Sequence, residues 1–178
     1  MTIIIREEKS DQAPAQLIQK AAFGADEEAK LTQNLLLDPS AQPSLSLLAY
    51  YNEQPVGHIL FSRVSLAHHP NIQASLLAPL AVLPEFQRQG IGLALIRAGL
   101  EELKQRGDTL AFVLGHINYY PKAGFFPAHT LGIAAPYPIE ESLGDAWMVH
   151  TLGNPQPKKF STHVICANTL MRPEYWAE

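Results

Sequence analysis

The stretch from Leu77 to Leu95 holds the residues of this chain best suited to chemistry. An apolar run, Leu77-Ala78-Pro79-Leu80-Ala81-Val82, leads through Leu83-Pro84-Glu85-Phe86 into Gln87-Arg88-Gln89-Gly90-Ile91-Gly92, and apolar residues then recur at helical spacing. A strand followed by a glycine-containing loop that opens into a helix is a phosphate-binding arrangement. The first helical turn offers N–H groups without internal partners and a partial positive charge. Gly90 and Gly92 lack a Cβ and let a phosphate approach the main chain, while Arg88 adds a mobile cation. A pyrophosphate cradle is the reading these residues favour over a tight turn that only packs a helix on a sheet.

Two familiar phosphate loops do not fit. A dinucleotide fingerprint needs a third glycine where Leu95 stands, and an acidic residue at the end of the next strand, whereas Asp108 precedes that strand. The Gly-Lys-Ser/Thr of a P-loop is missing as well.

The elements that must position this loop follow from periodicity. Thr2–Arg6 carries three consecutive Ile and reads as a buried strand. Ser10-Asp11 caps a helix through Leu17, Ile18, Ala21 and Ala22 that stops at Gly24, and a second helix runs from Asp26 to Leu36. Leu45–Tyr51 and Val56–Ser65 form a hairpin across Asn52-Glu53-Gln54-Pro55. His68-His69-Pro70-Asn71 connects it to a strand from Ile72 to Val82. Ile91, Leu95, Ile96, Leu100 and Leu103 mark a helix from Gly90 to Arg106, stopped by Gly107. A strand at Leu110–Leu114 is followed by a short helical piece, Tyr119–Phe125. Late strands at Trp147–Leu152 and His163–Ala167 flank a polar loop with Pro155 and Pro157. This order implies an α/β (α+β) mixed sheet in one domain spanning 1–178.

Composition narrows the function classes. Apolar residues make up 47% and charged residues 17%, enough for a core and unlike a disordered chain. With 13 Lys+Arg against 17 Asp+Glu the net charge is −4, and no basic block is present, which argues against nucleic acid as a partner. No apolar run reaches the roughly 20 residues that cross a bilayer. Cys166 is alone, so no intrachain disulfide forms, and a cytoplasmic location is expected. His68-His69 lacks the partners of a metal site, so no metal is expected.

The residues also resemble a family. Gln87-Arg88-Gln89-Gly90-Ile91-Gly92 matches the Gln/Arg-x-x-Gly-x-Gly/Ala motif of the GNAT superfamily of acyl-CoA-dependent N-acetyltransferases. Tyr120-Pro121-Lys122-Ala123-Gly124-Phe125 resembles its Tyr-x-Lys-x-Gly-Phe segment, and the similarity is greatest to its YhbS-like branch. It is specific over roughly Leu47 to Pro127. The resemblance implies a sheet of about seven strands, splayed between the fourth (Ile72–Val82) and fifth (Leu110–Leu114), with acetyl-CoA as co-substrate in the gap. Pantetheine would pair with the edge at Leu80, Ala81 and Val82. The pyrophosphate would lie on the amides of Gln87, Arg88, Gln89, Gly90, Ile91 and Gly92, and an N–H near Val82 would polarise the thioester.

Tyr120 aligns with the family's general acid, also placing it against the cofactor, and Tyr119 reads as its packing neighbour. A phenol near pKa 10 protonating a thiolate near 8.5 goes uphill by about 1.5 units in water, so hydrogen bonding to the developing thiolate is its main role. The acceptor, a small-molecule or peptide amine, must lose a proton, because an amine near pKa 10.4 is neutral only about once in two thousand molecules at pH 7. The strand Ile72–Val82 has no acidic base; His116, Glu27 and a water chain are the candidates. Asn118 stands too close to Tyr120 to be the helix-capping Asn of many family members. The tail beyond about 155 exceeds the minimal family core and covers the acceptor site, makes a homodimer contact, or packs on an edge. A non-catalytic acyl-CoA sensor is the rival function class, and a nucleotide-dependent enzyme the third.

Overall fold

Asn52 and Glu53 both take positive φ, 47° and 64°, and so form a two-residue turn whose twist suits a hairpin. They join β2 (Leu45–Tyr51) to β3 (Gln54–Leu66), with Tyr51 opposite Gln54. The turn is therefore tighter than the sequence suggested, and Gln54 and Pro55 belong to the strand. The computed structural model describes residues 2–8, 13–153 and 158–177. The other elements are β1 (Ile4–Glu7), α1 (Ala13–Phe23), α2 (Glu27–Leu37), β4 (His69–Val82), α3 (Ile91–Gln105), β5 (Leu110–Leu114), β6 (Phe126–Pro127), β7 (Ile133–Ala134), β8 (Trp147–Thr151) and β9 (Thr162–Ile165). The expected cap at Ser10-Asp11 and the prolines at 155 and 157 lie outside the described residues.

The strands run in the order β1-β2-β3-β4-β5-β8-β6, and β9 attaches to β3 and to β7. Seven strands thus form the main path, and β7 and β9 add two short ones beyond the number the resemblance implied. All neighbours on the path are antiparallel except β4 and β5. That parallel pair holds only from Ala74–Leu76 to Leu110–Phe112. Beyond Leu76 the edge of β4 that faces β5 has no strand beside it among the described residues. This is where Pro79, which has no N–H, is accommodated. It is also where β4 takes one extra residue, Ile59 facing Leu80 while Phe61 faces Leu77.

Helices cover both faces. α3 buries Ile91, Leu95, Ile96, Leu100 and Leu103 against Ile59, Phe61 and Val113, each such side chain contributing about 1.5–3 kcal/mol on burial. Gly99 is required there, because a Cβ would overlap the Phe61 ring. On the opposite face α1 sets Ala15 and Ile18 against Leu48 and Ala81. α2 sends Leu35 into a cluster shared with Leu170 and Trp176 of the tail. Trp176 stands edge-on to Trp147, with ring centres 5.5 Å apart, and donates Nε1–H to Leu170 O at 3.0 Å. The tail is therefore part of the core, through β9 and this indole.

Two expectations are corrected. β1 is an edge strand rather than a buried one, with Ile4 48% exposed, because an Ile-rich run cannot by itself distinguish an edge from the centre. The connector before β4 is Ala67-His68, and His69, Pro70 and Asn71 belong to the strand.

Two buried polar groups brace the sheet. His58 is fully buried between α1 and β2: Gln19 Nε2 faces its Nδ1 at 2.9 Å and Ser46 Oγ lies 2.8 Å from its Nε2. Ser46 Oγ–H in turn donates to Glu8 Oε1 at 3.4 Å. Because the Gln19 amide donates to Nδ1, the ring is neutral with its proton on Nε2. Burial, which penalises the charged imidazolium, lowers its pKa from 6.5 to about 3. Asp108, at the foot of β5, accepts from Ser75 Oγ at 2.6 Å, Gln73 Nε2 at 2.8 Å and Arg63 Nη1 at 3.1 Å. Those three donors, from β3 and β4, anchor the root of the β4–β5 pair.

Candidate active site

The free edge of β4 and the start of α3 face each other across a groove of about 600 Å³. Its floor is Leu80 and Val82, and its far wall is the loop and first helical turn, Phe86 to Leu93. A short 3₁₀ turn, Pro84–Phe86, reverses the chain after β4, and Gln87 Nε2 donates back to Val82 O at 2.9 Å. Arg88 and Gly90 then adopt positive φ of 62° and 84°. Left-handed residues alternating with the entry to a right-handed helix turn successive N–H groups inward, the geometry of an anion-binding nest. Gly90 provides no side-chain cap to α3, and Ala94 N–H, bonded to Gly90 O at 3.0 Å, is the first to close a helical turn. The amides of Ile91, Gly92 and Leu93 are thereby left without intrahelical partners.

Charge at the groove is positive against a chain that is negative overall. Arg88 and Lys122 both line it. Lys122 reaches it from the 3₁₀ turn Tyr120–Ala123, which Gly124 ends at φ 98°. Sequence reading quoted Lys122 within its motif and did not assign it to the site. Phe86 and Leu93, the two ends of the loop and first helical turn, line the groove as well.

The two adjacent tyrosines have different surroundings. Tyr119, read as the packing residue, lines the groove, and a Cβ at Gly92 would overlap its hydroxyl. Tyr120 does not line the groove. Its ring stands edge-on to Tyr119 at 5.2 Å and to Phe125 at 5.9 Å, and lies so close to Gly115 that a Cβ there would overlap it. Burial, with a smaller contribution from Tyr119, raises the Tyr120 pKa well above its ordinary value. Such a phenol keeps its proton at neutral pH and acts as a hydrogen-bond donor. Burial also raises the pKa of Tyr119.

A second cavity, of about 560 Å³, is lined by Gly115, against which the Tyr120 ring packs, and by His116, Ser142, Asp145 and Tyr175 among others. Gly115 and Tyr119 thus connect Tyr120 to one cavity each. His116 belongs to this second cavity and not to the groove, since it follows β5 rather than β4. The tail contributes Tyr175 to its wall.

Of the remaining expected residues, Leu80, Val82, Gln87, Arg88, Gly90, Ile91 and Gly92 are brought together at the groove. Ala81 and Gln89 are not: strand alternation turns the Ala81 side chain to the α1 face, and Gln89 reaches back to Glu85 O at 3.3 Å. Only their main chains remain available. Glu27 is exposed in the first turn of α2 and lines neither cavity. Among the described residues no group of His, Cys, Asp and Glu is placed to hold a metal ion, and no helix is long and apolar enough to cross a membrane.

Comparison with known proteins agrees with this geometry. Residues 9–125 match the Acetyltransferase (GNAT) family. The chain is 45% identical over 163 residues, 90% of each chain, to the uncharacterized N-acetyltransferase YjhQ of Escherichia coli (strain K12). The structure resembles the crystal structure of the GNAT family N-acetyltransferase YhbS from Escherichia coli in complex with CoA, with TM-score 0.85 and 27% identity over 96% of this chain and 92% of that one. It also resembles a GNAT family acetyltransferase from Brucella melitensis in complex with acetyl-CoA, with TM-score 0.72 and 27% identity over 94% of this chain and 97% of that one. The strand–loop–helix groove therefore sits in a chain that belongs to the GNAT family of N-acetyltransferases.

Proposed function

We propose that this chain binds acetyl-CoA along the free edge of β4 and transfers the acetyl group directly to a primary amine entering from the second cavity. The observation that carries the reading is the juxtaposition of the unpaired β4 edge with the unpartnered amides opening α3, flanked by Arg88 and Lys122. A diphosphate suits those amides, and an extended pantetheine suits a strand edge, which recognises ligands through main-chain hydrogen bonds. The relatives that hold CoA and acetyl-CoA support the same ligand here.

When bound, acetyl-CoA supplies an activated acyl carbon and a sulfur leaving group. Main-chain N–H near Val82 polarises the carbonyl oxygen. Tyr120, kept protonated by its burial, donates a hydrogen bond to the sulfur as its bond to the acyl carbon breaks and the N–C bond forms. His116, in the second cavity, accepts one proton of the incoming ammonium directly or through water, and the second proton released as the amide forms passes to the departing thiolate or to water. Cys166 is buried against Met171 and lines neither the groove nor the second cavity, which supports direct attack over an acyl-cysteine intermediate.

Titration calorimetry with acetyl-CoA, followed by a CoA-release assay over small amines, aminoglycosides, amino acids and peptides, tests this. Binding that weakens in Arg88→Ala, with release driven by at least one amine, is the expected outcome. Absence of heat with acetyl-CoA would end the groove reading, and heat without release from any amine would favour the sensor.

A further inference from the structure

We infer that a second binding site lies at the opposite end of β4, built around Arg63 and suited to a small organic acid with one carboxylate on a short apolar body. It is separate from the groove: Gln73, on its wall, precedes Leu80 by seven residues, roughly 20 Å of strand. A cavity of about 610 Å³ opens there between β3, β4 and the tail.

Arg63 is held in place from behind. Its Nη1 donates to Asp108 Oδ1 at 3.1 Å and to Ala74 O at 3.0 Å, which uses both hydrogens of that nitrogen. The Asp108 carboxylate is fully buried, and the Arg63 side chain is 20% exposed, so the guanidinium cannot swing away without stranding a buried charge. Its other edge, Nη2 and Nε, has no partner among the described residues. That edge belongs to a residue lining the cavity, and two parallel N–H groups match the two oxygens of a carboxylate. Ser65, Asn71 and Asn168 add side-chain donors to the same wall, none of them engaged with another described residue. Among the described residues no Asp or Glu lines the cavity, while Val64, Ile72 and Ile165 provide apolar walls.

Charge bookkeeping selects the ligand class. Asp108 already balances Arg63, so the site as it stands is neutral, and a single carboxylate leaves one negative charge shared over several donors. A dianionic phosphate would leave two in a partly desolvated place. The acid also clamps Arg63, and through it Asp108, Gln73 and Ser75, beside the short stretch where β4 and β5 pair.

The test uses the full chain without acetyl-CoA. Propionate, butyrate, benzoate and 3-phenylpropionate are each titrated beside their carboxamides at constant ionic strength, by calorimetry and by thermal shift. At least one acid is expected to bind about tenfold or more tightly than its amide and to raise Tm. Arg63→Lys keeps the charge opposite Asp108 but loses the forked edge, so it should abolish the acid's advantage while acetyl-CoA still gives heat at the groove. If Arg63→Lys does not fold, the exposed pair Asn71→Ala with Asn168→Ala carries the same comparison, and should reduce the advantage several-fold with Tm of the free chain unchanged. Acid and amide binding alike, an acid indifferent to both variants, or no heat with any acid at about 10 mM would each overturn the site.

Discussion

Lowering the pH from 7 to 5 should destabilise the fold through one buried ring. His58 titrates near its ordinary 6.5 when unfolded and at about 3 when folded. The unfolded chain therefore takes up the proton first. The contribution of neutral His58 is intact above pH 6.5 and is lost progressively as pH falls from 6.5 toward 3. Each full unit in that window corresponds to about 1.4 kcal/mol, so the drop from pH 7 to pH 5 is about 2 kcal/mol. That is a large part of the roughly 5–15 kcal/mol by which domains are stable. Urea unfolding at pH 7.5, 6.5, 5.5 and 5.0, for the wild type and for His58→Gln, measures it. The variant is expected to be less stable at pH 7.5, having lost a fitted ring, but flatter, with the gap narrowing by about 2 kcal/mol at pH 5. Asp38 does not confuse the comparison. Its carboxylate, hydrogen-bonded to Ser40 and Thr169, titrates at about 2 rather than 3.8, so its stabilisation is present above pH 3.8 and is lost only below the window. Parallel slopes in the two proteins between pH 6.5 and 5 would refute the assignment of a neutral, buried His58.

Three other outcomes follow from the site and the tail. Tyr120→Phe removes the donated hydrogen bond and leaves the groove lining intact, so turnover should fall about 100-fold with acetyl-CoA affinity nearly unchanged by calorimetry; equal turnover removes Tyr120 from the mechanism. Gly92→Ala places a methyl where the Tyr119 hydroxyl stands, and acetyl-CoA affinity should fall at least about tenfold as that ring is forced into the groove, with recovery in the Gly92→Ala/Tyr119→Phe double variant. Trp176→Ala empties the space against Trp147 and strands Leu170 O, and should cost about 3–5 kcal/mol in urea unfolding, which a tail merely lying on the surface would not show.

The parts of this protein that were legible in its sequence are those specified locally. α3 announces itself by helical spacing between two glycines, and the structure places Gly90 at φ 84° before it and Gly107 at φ 100° after it. β2 and β5 match their expected boundaries because each is a short β-prone run closed by turn residues. What stayed hidden depends on which side of an element meets what. The Ile run of β1 reads the same whether its neighbour is a second strand or solvent. Tyr119 and Tyr120 are adjacent and chemically identical, and only the 3₁₀ turn after β5 decides that the first faces the groove and the second Gly115.

The polar residues hidden inside apolar strands are a different case, because the signal was present. His58 interrupts Val56–Phe61 and Arg63 interrupts Phe61–Val64, positions where a charged or titratable side chain is tolerated only with partners. Period-two alternation even assigns the faces, His58 with Leu60 and Arg63 with Phe61. The partners themselves, Gln19 on α1 and Asp108 beyond α3, are 39 and 45 residues away and become neighbours only when the sheet forms. An interrupted apolar strand therefore says that a polar partner exists and on which face to look, and the topology supplies its name. At His58 that partner locks α1 to the sheet; at Arg63 it satisfies one edge of a guanidinium and leaves the other open.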